Sequence, residues 1–289
     1  MNFLQLTYFK EVADLGHVTK ASKKLYISQP SLSKSIHLLE SELGFPVFDR
    51  DGAGITLNKN GQIFYKYCIT ALDAMNQAIS EINDVNHLHP EVTLSIVAAT
   101  QFLPEIIMGF KKQYPDIKLN INQEPMNSTS LKCDLYIYSS LVPVEAANSY
   151  TLLCEECFIG MSVDNPLTEY KIIKPQQLEK QVFLTTKDNL PLYQLTHNIC
   201  LSAGFEPYTK LQFESKETIF SLLAADMGVS IIPKYTWAPF TDSGKIALRP
   251  LSVPCRRYIL LRLNESSYMT TATKYLIDFL KNYFAKKII

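Results

Sequence analysis

The sequence has no apolar run long enough to span a bilayer, so no membrane is expected among its partners. It has no net charge either, 28 Lys and Arg balancing 28 Asp and Glu. That balance excludes a generic nucleic-acid coat and requires any DNA binding to come from a local patch. No Gly-rich phosphate loop, no HExxH and no G-x-S-x-G occurs, so no catalytic residue is assigned and no enzyme is expected. The six cysteines are scattered at 68, 133, 154, 157, 200 and 255. Cys154-Glu-Glu-Cys157 is a lone CxxC with no second pair and no histidine cluster nearby, which leaves neither a metal site nor a cofactor to propose. A redox switch at this CxxC stays open beside the alternative of buried free thiols. The opening MNFLQLTYFKEVADL carries Lys10, Glu11 and Asp14 in an amphipathic pattern and lacks a signal-peptide cleavage region, so a soluble, cytoplasmic protein is expected. With 289 residues there is room for one large domain or two to three modest ones.

What is present is organised around Val18–Glu42. Thr19 is suited to cap a short helix carrying the small Ala21. Tyr26 and Ile27 bridge a turn, and Ser28 caps a second helix with Pro30 in its first turn, where the missing N–H costs nothing. Leu32, Ile36, Leu39 and Leu43 recur at helical spacing as a buried face, leaving Gln29, Ser33, Lys34 and His37 outside. Such a pair is what a helix-turn-helix needs to lay side chains in a major groove. Between Asp14 and Glu40 there is no acid, while Lys20, Lys23, Lys24 and Lys34 fall inside the gap, a cationic patch suited to phosphates. A solvated lysine face is the plainer reading of that patch alone.

Around this pair, residues from about Asn2 to Leu15 read as a bracing helix with Leu6, Phe9, Val12 and Ala13 on one face and Gly16 as its stop. Val47–Arg50 and Ile55–Leu57 are strand-like pieces around Asp-Gly-Ala-Gly, a wing. Arg50 at its base can grip a phosphate or pair with Asp49 or Asp51. Asn58 or Asn60 then caps a long helix reaching about Asn86. Its apolar positions Phe64, Cys68, Ala71, Met75, Ala78, Ile82 and Val85 alternate gaps of four and three, the narrow seam of a dimerisation rod. Two copies would present two recognition helices to an inverted repeat.

His87–Pro90 breaks this helix and marks a boundary. Beyond it strands alternate with helices: strands at Val92–Ala98, Ile117–Gln123, Leu135–Ser139, Thr151–Met161, Gln181–Leu184, Lys210–Phe213, Val229–Ile232 and Ile259–Leu263, and helices at Leu103–Tyr114, Leu192–Ala203, Ser215–Ala225 and Thr270–Phe284. This predicts α/β structure with largely parallel sheets, in two subdomains with a cleft between them. The domains expected are 1–58 for the head, 59–88 for the linker helix and 89–289 for the rest, subdomain I at about 91–161 and 265–289 and subdomain II at about 162–264.

These residues resemble the LysR-type transcriptional regulator family over nearly the whole chain. The specific part is LQLTYFKEVADLGHVTKASKKLYISQPSLSKSIHLLESELGFPVFDR followed by ITLNKNG, with Ala21, SQPSLSKSI, LESELG and Phe48-Asp49-Arg50 in the family's order and spacing. FKKQYPDIKL, Asp164-Asn165-Pro166-Leu167, SAGFEP and MGVSIIP follow more loosely. The resemblance implies a winged helix-turn-helix, a linker helix and a two-subdomain effector domain like periplasmic solute-binding proteins, in dimers or tetramers. It places Thr19, Lys20, Ser28, Gln29, Pro30, Ser31, Ser33, Lys34, His37 and Arg50 at DNA. Gln29 suits adenine, and Lys34 stands where the family commonly has Arg, a less rigid contact. Pro30 can touch a thymine methyl or simply start the helix. Thr100, Gln101, Thr185, Thr186 and Ser215 fall on the loops that contact effectors in the family. The same residues also suit helix caps, and small anions bind well at hydroxyls beside helix N-termini. His197, within a helical stretch, is read as structural. Two departures stand out: EPMNSTSLKCDLYIY is short and has Cys133 for a glycine, and Asp226 stands where glycine is frequent.

The expected function is a regulator whose grip on double-stranded DNA, an interrupted palindrome, is changed by an unidentified small-molecule effector in the cleft. RNA polymerase is a further contact to consider. The same head with a cysteine redox trigger is the alternative. A solute-binding protein is disfavoured by the head.

Overall fold

The computed structural model describes residues 1–51, 54–123, 133–144, 146–237, 244–265 and 268–287, with the side chains of Arg50, Asp51 and Lys210 outside that description. The chain forms two compact units, Met1–Leu88 with Ser266–Tyr268, and His89–Glu265 with Met269–Ile289. None of the described helices is long and apolar enough to cross a membrane.

In the first unit α1 (Phe3–Leu15), α2 (Val18–Lys24) and α3 (Gln29–Leu43) precede a hairpin of β1 (Phe48–Asp51) and β2 (Gly54–Leu57), and α4 (Lys59–Val85) follows. Asn2 opens α1 with a reciprocal capping box, and Gly16 closes it in the left-handed region at φ 61°. The cap of α2 is His17 rather than Thr19, which lies inside the helix with its hydroxyl turned to Gln29. Ser28 caps α3 as the sequence predicts, accepting from the Ser31 N–H at 3.3 Å. Phe9 is the hub of the core, its ring 5.3 Å from Phe48 and 5.0 Å from Phe64, with Val12, Ala21, Leu32, Ile36 and Leu39 closing around it.

The linker helix begins inside this core. Cys68 and Leu72 are buried there and Phe64 packs against Phe9, so Phe64 and Cys68 belong to the head's interior and not to a surface seam. Their apolar surface is already used by α1, which the spacing of α4 alone did not reveal. Gly61 lets the helix approach: a Cβ there would clash with the Val47 carbonyl oxygen. Asn58 ties the junction, accepting from the Gly61 N–H at 2.9 Å and donating to the Pro46 carbonyl at 3.0 Å. Further along α4, Met75, Ile79, Ile82 and Val85 are exposed.

The second unit contains β3 (Glu91–Ile96), α5 (Leu103–Gln113), β4 (Lys118–Asn122), β5 (Leu135–Ser140), β6 (Ser149–Ser162), β7 (Val182–Thr186), α6 (Pro191–Ser202), β8 (Tyr208–Phe213), α7 (Lys216–Ala224), β9 (Ser230–Pro233), β10 (Ile246–Arg249), β11 (Arg256–Leu263) and α8 (Thr271–Ala285). Strand β10 is not anticipated by the sequence reading. The largest sheet runs β10-β6-β11-β5-β3-β4, with β9 also on β6. It is mixed, not largely parallel. β3 runs parallel to β4 and β5, and β7 to β8, but β6 and β11 pair antiparallel with all their neighbours. The reason is that β6 and β11 are passages between two cores rather than members of βαβ units.

Those cores give the subdomains. One gathers Val92, Leu94, Ile96, Ile106, Phe110, Leu153, Ile259, Leu276 and Leu280; the other spans Cys157 to Cys255 and includes Ile159, Met161, Phe183, Ile219 and Ile231. The crossover therefore falls between Leu153 and Cys157 on the way out and between Cys255 and Ile259 on the way back, not near residues 161 and 265 as expected. Both strands continue through the junction, so hydropathy carries no break there.

Two family-like motifs have a direct physical role. Asn165 is buried; it accepts from the Leu167 N–H at 3.0 Å and donates to Asp226 Oδ1 at 3.3 Å. Asp226 takes the left-handed conformation that glycine favours, φ 55°, which a short polar residue tolerates when so anchored. The segment 124–132 lies outside the described residues; after it, Cys133 is buried and its carbonyl accepts from Asn264 at 3.1 Å.

Candidate nucleic-acid interface and effector residues

Helix α3 buries Leu32, Ile36 and Leu39, which fixes its opposite face outward. Gln29, Pro30, Ser31, Lys34 and His37 are exposed there and Ser33 is half-buried, while Thr19 and Lys20 are exposed on α2. The Thr19 hydroxyl donates to Gln29 Oε1 at 3.0 Å, orienting the amide of the residue best suited to adenine. Ser28 and Ser31 share a hydroxyl contact of 2.7 Å, so both serve the helix start. His37 sits 3.6 Å from Glu40, whose other oxygen accepts from the Val47 N–H at 2.9 Å. Lys24 pairs with Glu11 of α1, which removes it from the expected phosphate patch and leaves Lys20, Lys23 and Lys34 as its cations. Arg50 lies on β1 opposite Ile55, its side chain outside the described residues.

Recognition helix and wing meet in a groove of about 270 Å³ lined by His17, Val18, Gln29, Ser33, Ile36, Gly54 and Ile55. The sequence reading missed His17 and Gly54 as members of this surface. Their signal is only the backbone bond from the Ile55 N–H to the Gly16 carbonyl, 3.2 Å, which seats the wing on the turn after α1.

In the second unit Thr100 and Gln101 open a short 3-10 turn after Ala99, itself left-handed at φ 60°. Thr185 and Thr186 end β7 and are buried. Gln101 Nε2 and Thr186 Oγ1 are buried and have no hydrogen-bond partner among the described residues. Such groups are expensive unless something else satisfies them, and native proteins keep few. Ser215 behaves as a cap: it is exposed, accepts from the Thr218 N–H at 3.3 Å and donates to Glu217 at 2.6 Å. His197 lies on α6 with its ring 5.4 Å from Tyr193, a packing role.

A buried polar cluster escaped the sequence reading. Arg257 Nε donates to Glu155 Oε1 at 2.7 Å, and Glu155 also accepts from the Tyr235 and Thr236 N–H groups at 3.0 and 2.9 Å. The Thr236 hydroxyl bonds Glu155 at 2.7 Å and also contacts Arg257. Beside Arg257, the Lys216 ammonium at the start of α7 is held below the usual lysine range by burial, with Glu217 opposing the shift and Arg257 adding to it. A charge at each inward position of two apolar strands, Glu155 after Leu153 and Arg257 before Ile259, was the available signal.

A winged helix-turn-helix head and a long helix, followed on the same chain by an α/β domain with two cores, define a DNA-binding transcriptional regulator with an attached small-molecule domain. The chain belongs to the LysR family. Residues 3–62 match the model described as "Bacterial regulatory helix-turn-helix protein, lysR family", and residues 86–285 match the LysR substrate binding domain. It is similar to the HTH-type transcriptional regulator YybE of Bacillus subtilis (strain 168), 29% identical over 99% of this chain and 100% of that one. A full-length OxyR variant from Pseudomonas aeruginosa shares the fold with TM-score 0.69 and 21% identity, over 98% of this chain and 94% of that one. Full-length CbnR complexed with its target DNA does so with TM-score 0.65 and 17% identity, over 98% and 99% of the chains.

Proposed function

We propose that the protein binds an interrupted palindrome through paired heads, as a dimer or tetramer, and that a small-molecule effector in the second unit changes that binding. The observation that carries the DNA half is the ordered surface of Thr19, Gln29, Ser33 and Lys34 on a helix whose other face is fully committed to the core. Gln29 and Ser33 read base edges; Lys20, Lys34 and the N-terminal N–H groups of α3, with Ser28, Pro30, Ser31 and His37 beside them, hold the neighbouring backbone, and Arg50 adds a wing contact. Pairing uses the part of α4 that the head leaves uncovered, Ala71, Met75, Ala78, Ile82 and Val85.

The effector half rests on Gln101 and Thr186, whose buried side-chain polar atoms have no partner among the described residues, with Thr100 and Thr185 alongside. A small anion supplies acceptor atoms for them, and Lys216 at the α7 N-terminus favours the same charge. The protein works in the cytoplasm, where its promoter and RNA polymerase are. Footprinting on DNA upstream of its own gene and of the neighbouring gene tests the reading. A protected pair of half-sites one helical turn or a multiple apart is expected; no protection at low or moderate salt would contradict it.

A further inference from the structure

Three consecutive same-face pairs cross the ladder between β6 and β11: Leu153 opposite Ile259, Glu155 opposite Arg257, and, one step beyond the ladder's end, Cys157 opposite Cys255. The last pair is held by a backbone bond from the Cys157 N–H to the Cys255 carbonyl, 2.7 Å, and both thiols are buried. Directly opposed residues joined in this way have Cα atoms about 5.5 Å apart, inside the range a disulfide spans. The CxxC does not offer this geometry. Cys154 and Cys157 stand on opposite faces of one strand, the first exposed and the second buried, and three strand steps separate their Cα atoms by roughly 10 Å, beyond a disulfide's reach.

The position matters as much as the pairing. Cys157 and Cys255 are the first and last members of the second core, so a bond between them closes the neck through which both strands enter that subdomain. We propose that Cys157 and Cys255 form a reversible disulfide across the two crossover strands, a redox staple on the neck between the subdomains. The oxidant is a peroxide or a small disulfide. With a peroxide, one thiol is oxidised to a sulfenic acid with loss of one water; the second thiol displaces a second water as the S–S bond forms. Two thiols and one hydrogen peroxide thus become one disulfide and two waters; with a small disulfide, the two thiols displace its two halves in turn as free thiols.

Reaction is slow in the closed state, because the neighbouring Cys255 thiol and burial both hold the Cys157 thiol protonated, with Arg257 opposing. It proceeds through local opening at the start of β11, where Cys255 lies just outside the strand. A cross-strand disulfide is strained, and strain makes it reducible by ordinary cellular thiols. Cys200 is likewise held protonated, pushed up to about 12 by burial.

The test uses the full-length reduced protein, oxidised with hydrogen peroxide or oxidised glutathione, unfolded in the presence of an alkylating agent and digested for mass spectrometry. A Cys157–Cys255 peptide is expected, lost with dithiothreitol, absent in C157S and in C255S, and retained in C154S. Hydrogen exchange at β6 and β11 should slow several-fold on oxidation. If Cys157 and Cys255 stay fully alkylated, or Cys154 is the partner found, the pairing is overturned; if the link forms while exchange is unchanged, the staple is overturned. Neither result depends on DNA, so failure here is distinct from failure of the footprint.

Discussion

The two units keep their chemically important groups in opposite ways. In the head, Gln29, Lys34, Thr19 and Lys20 stand in solvent on a compact apolar core centred on Phe9. In the second unit, Thr185, Thr186, Glu155, Thr236 and Arg257 are buried, and two buried polar side-chain atoms have no partner among the described residues. A surface that meets a large rigid polyanion can be all exposed, because DNA brings its own desolvation and many weak contacts. A site for a small molecule must enclose it, and so carries buried polar groups whose cost the ligand offsets. The contrast also says where each unit is fragile: the head at its packing, the second unit at its charges.

The contrast is broken most forcefully at Glu155. Glu155→Ala leaves Arg257 buried without its carboxylate and should destabilise the second unit by about 3–5 kcal/mol in urea unfolding, without shifting the head's transition. A shift in the head, or none in either, would contradict the division. Gly61→Ala forces a Cβ against the Val47 carbonyl and should cost the head about 1–3 kcal/mol, read from the same curves. Met75→Asp puts a charge on the uncovered face of α4; the mass in solution should fall to that of smaller assemblies while circular dichroism is kept. Ser28→Ala, loss of a single cap, should weaken the head by about 1 kcal/mol.

The head was legible because its determinants are local: a serine cap, a proline in the first turn, and Leu32, Ile36 and Leu39 at helical spacing each act within a few residues. Where it misled, a distant partner had intervened. Thr19 was drawn from its cap by Gln29, Lys24 by Glu11, and Phe64 and Cys68 by the α1 face. In the second unit nearly every strand and helix was visible in alternation, yet strand direction was not, because β6 and β11 look alike whether they close a βαβ unit or pass between cores. The partnership of Glu155 with Arg257 joins residues 102 positions apart, which no local pattern encodes. Thr186 and Gln101 came forward from the family resemblance alone, and the burial of their polar atoms is set by packing that no local pattern encodes.

Sequence reading by the outward face of α3 can be measured by selecting binders from random duplex DNA with the wild-type chain and with the Ser33→Ala, Lys34→Ala double variant. The wild type should enrich an inverted repeat, and the variant should lose it while keeping its fold and assembly state. Enrichment of the same repeat by both proteins would contradict sequence reading by that face.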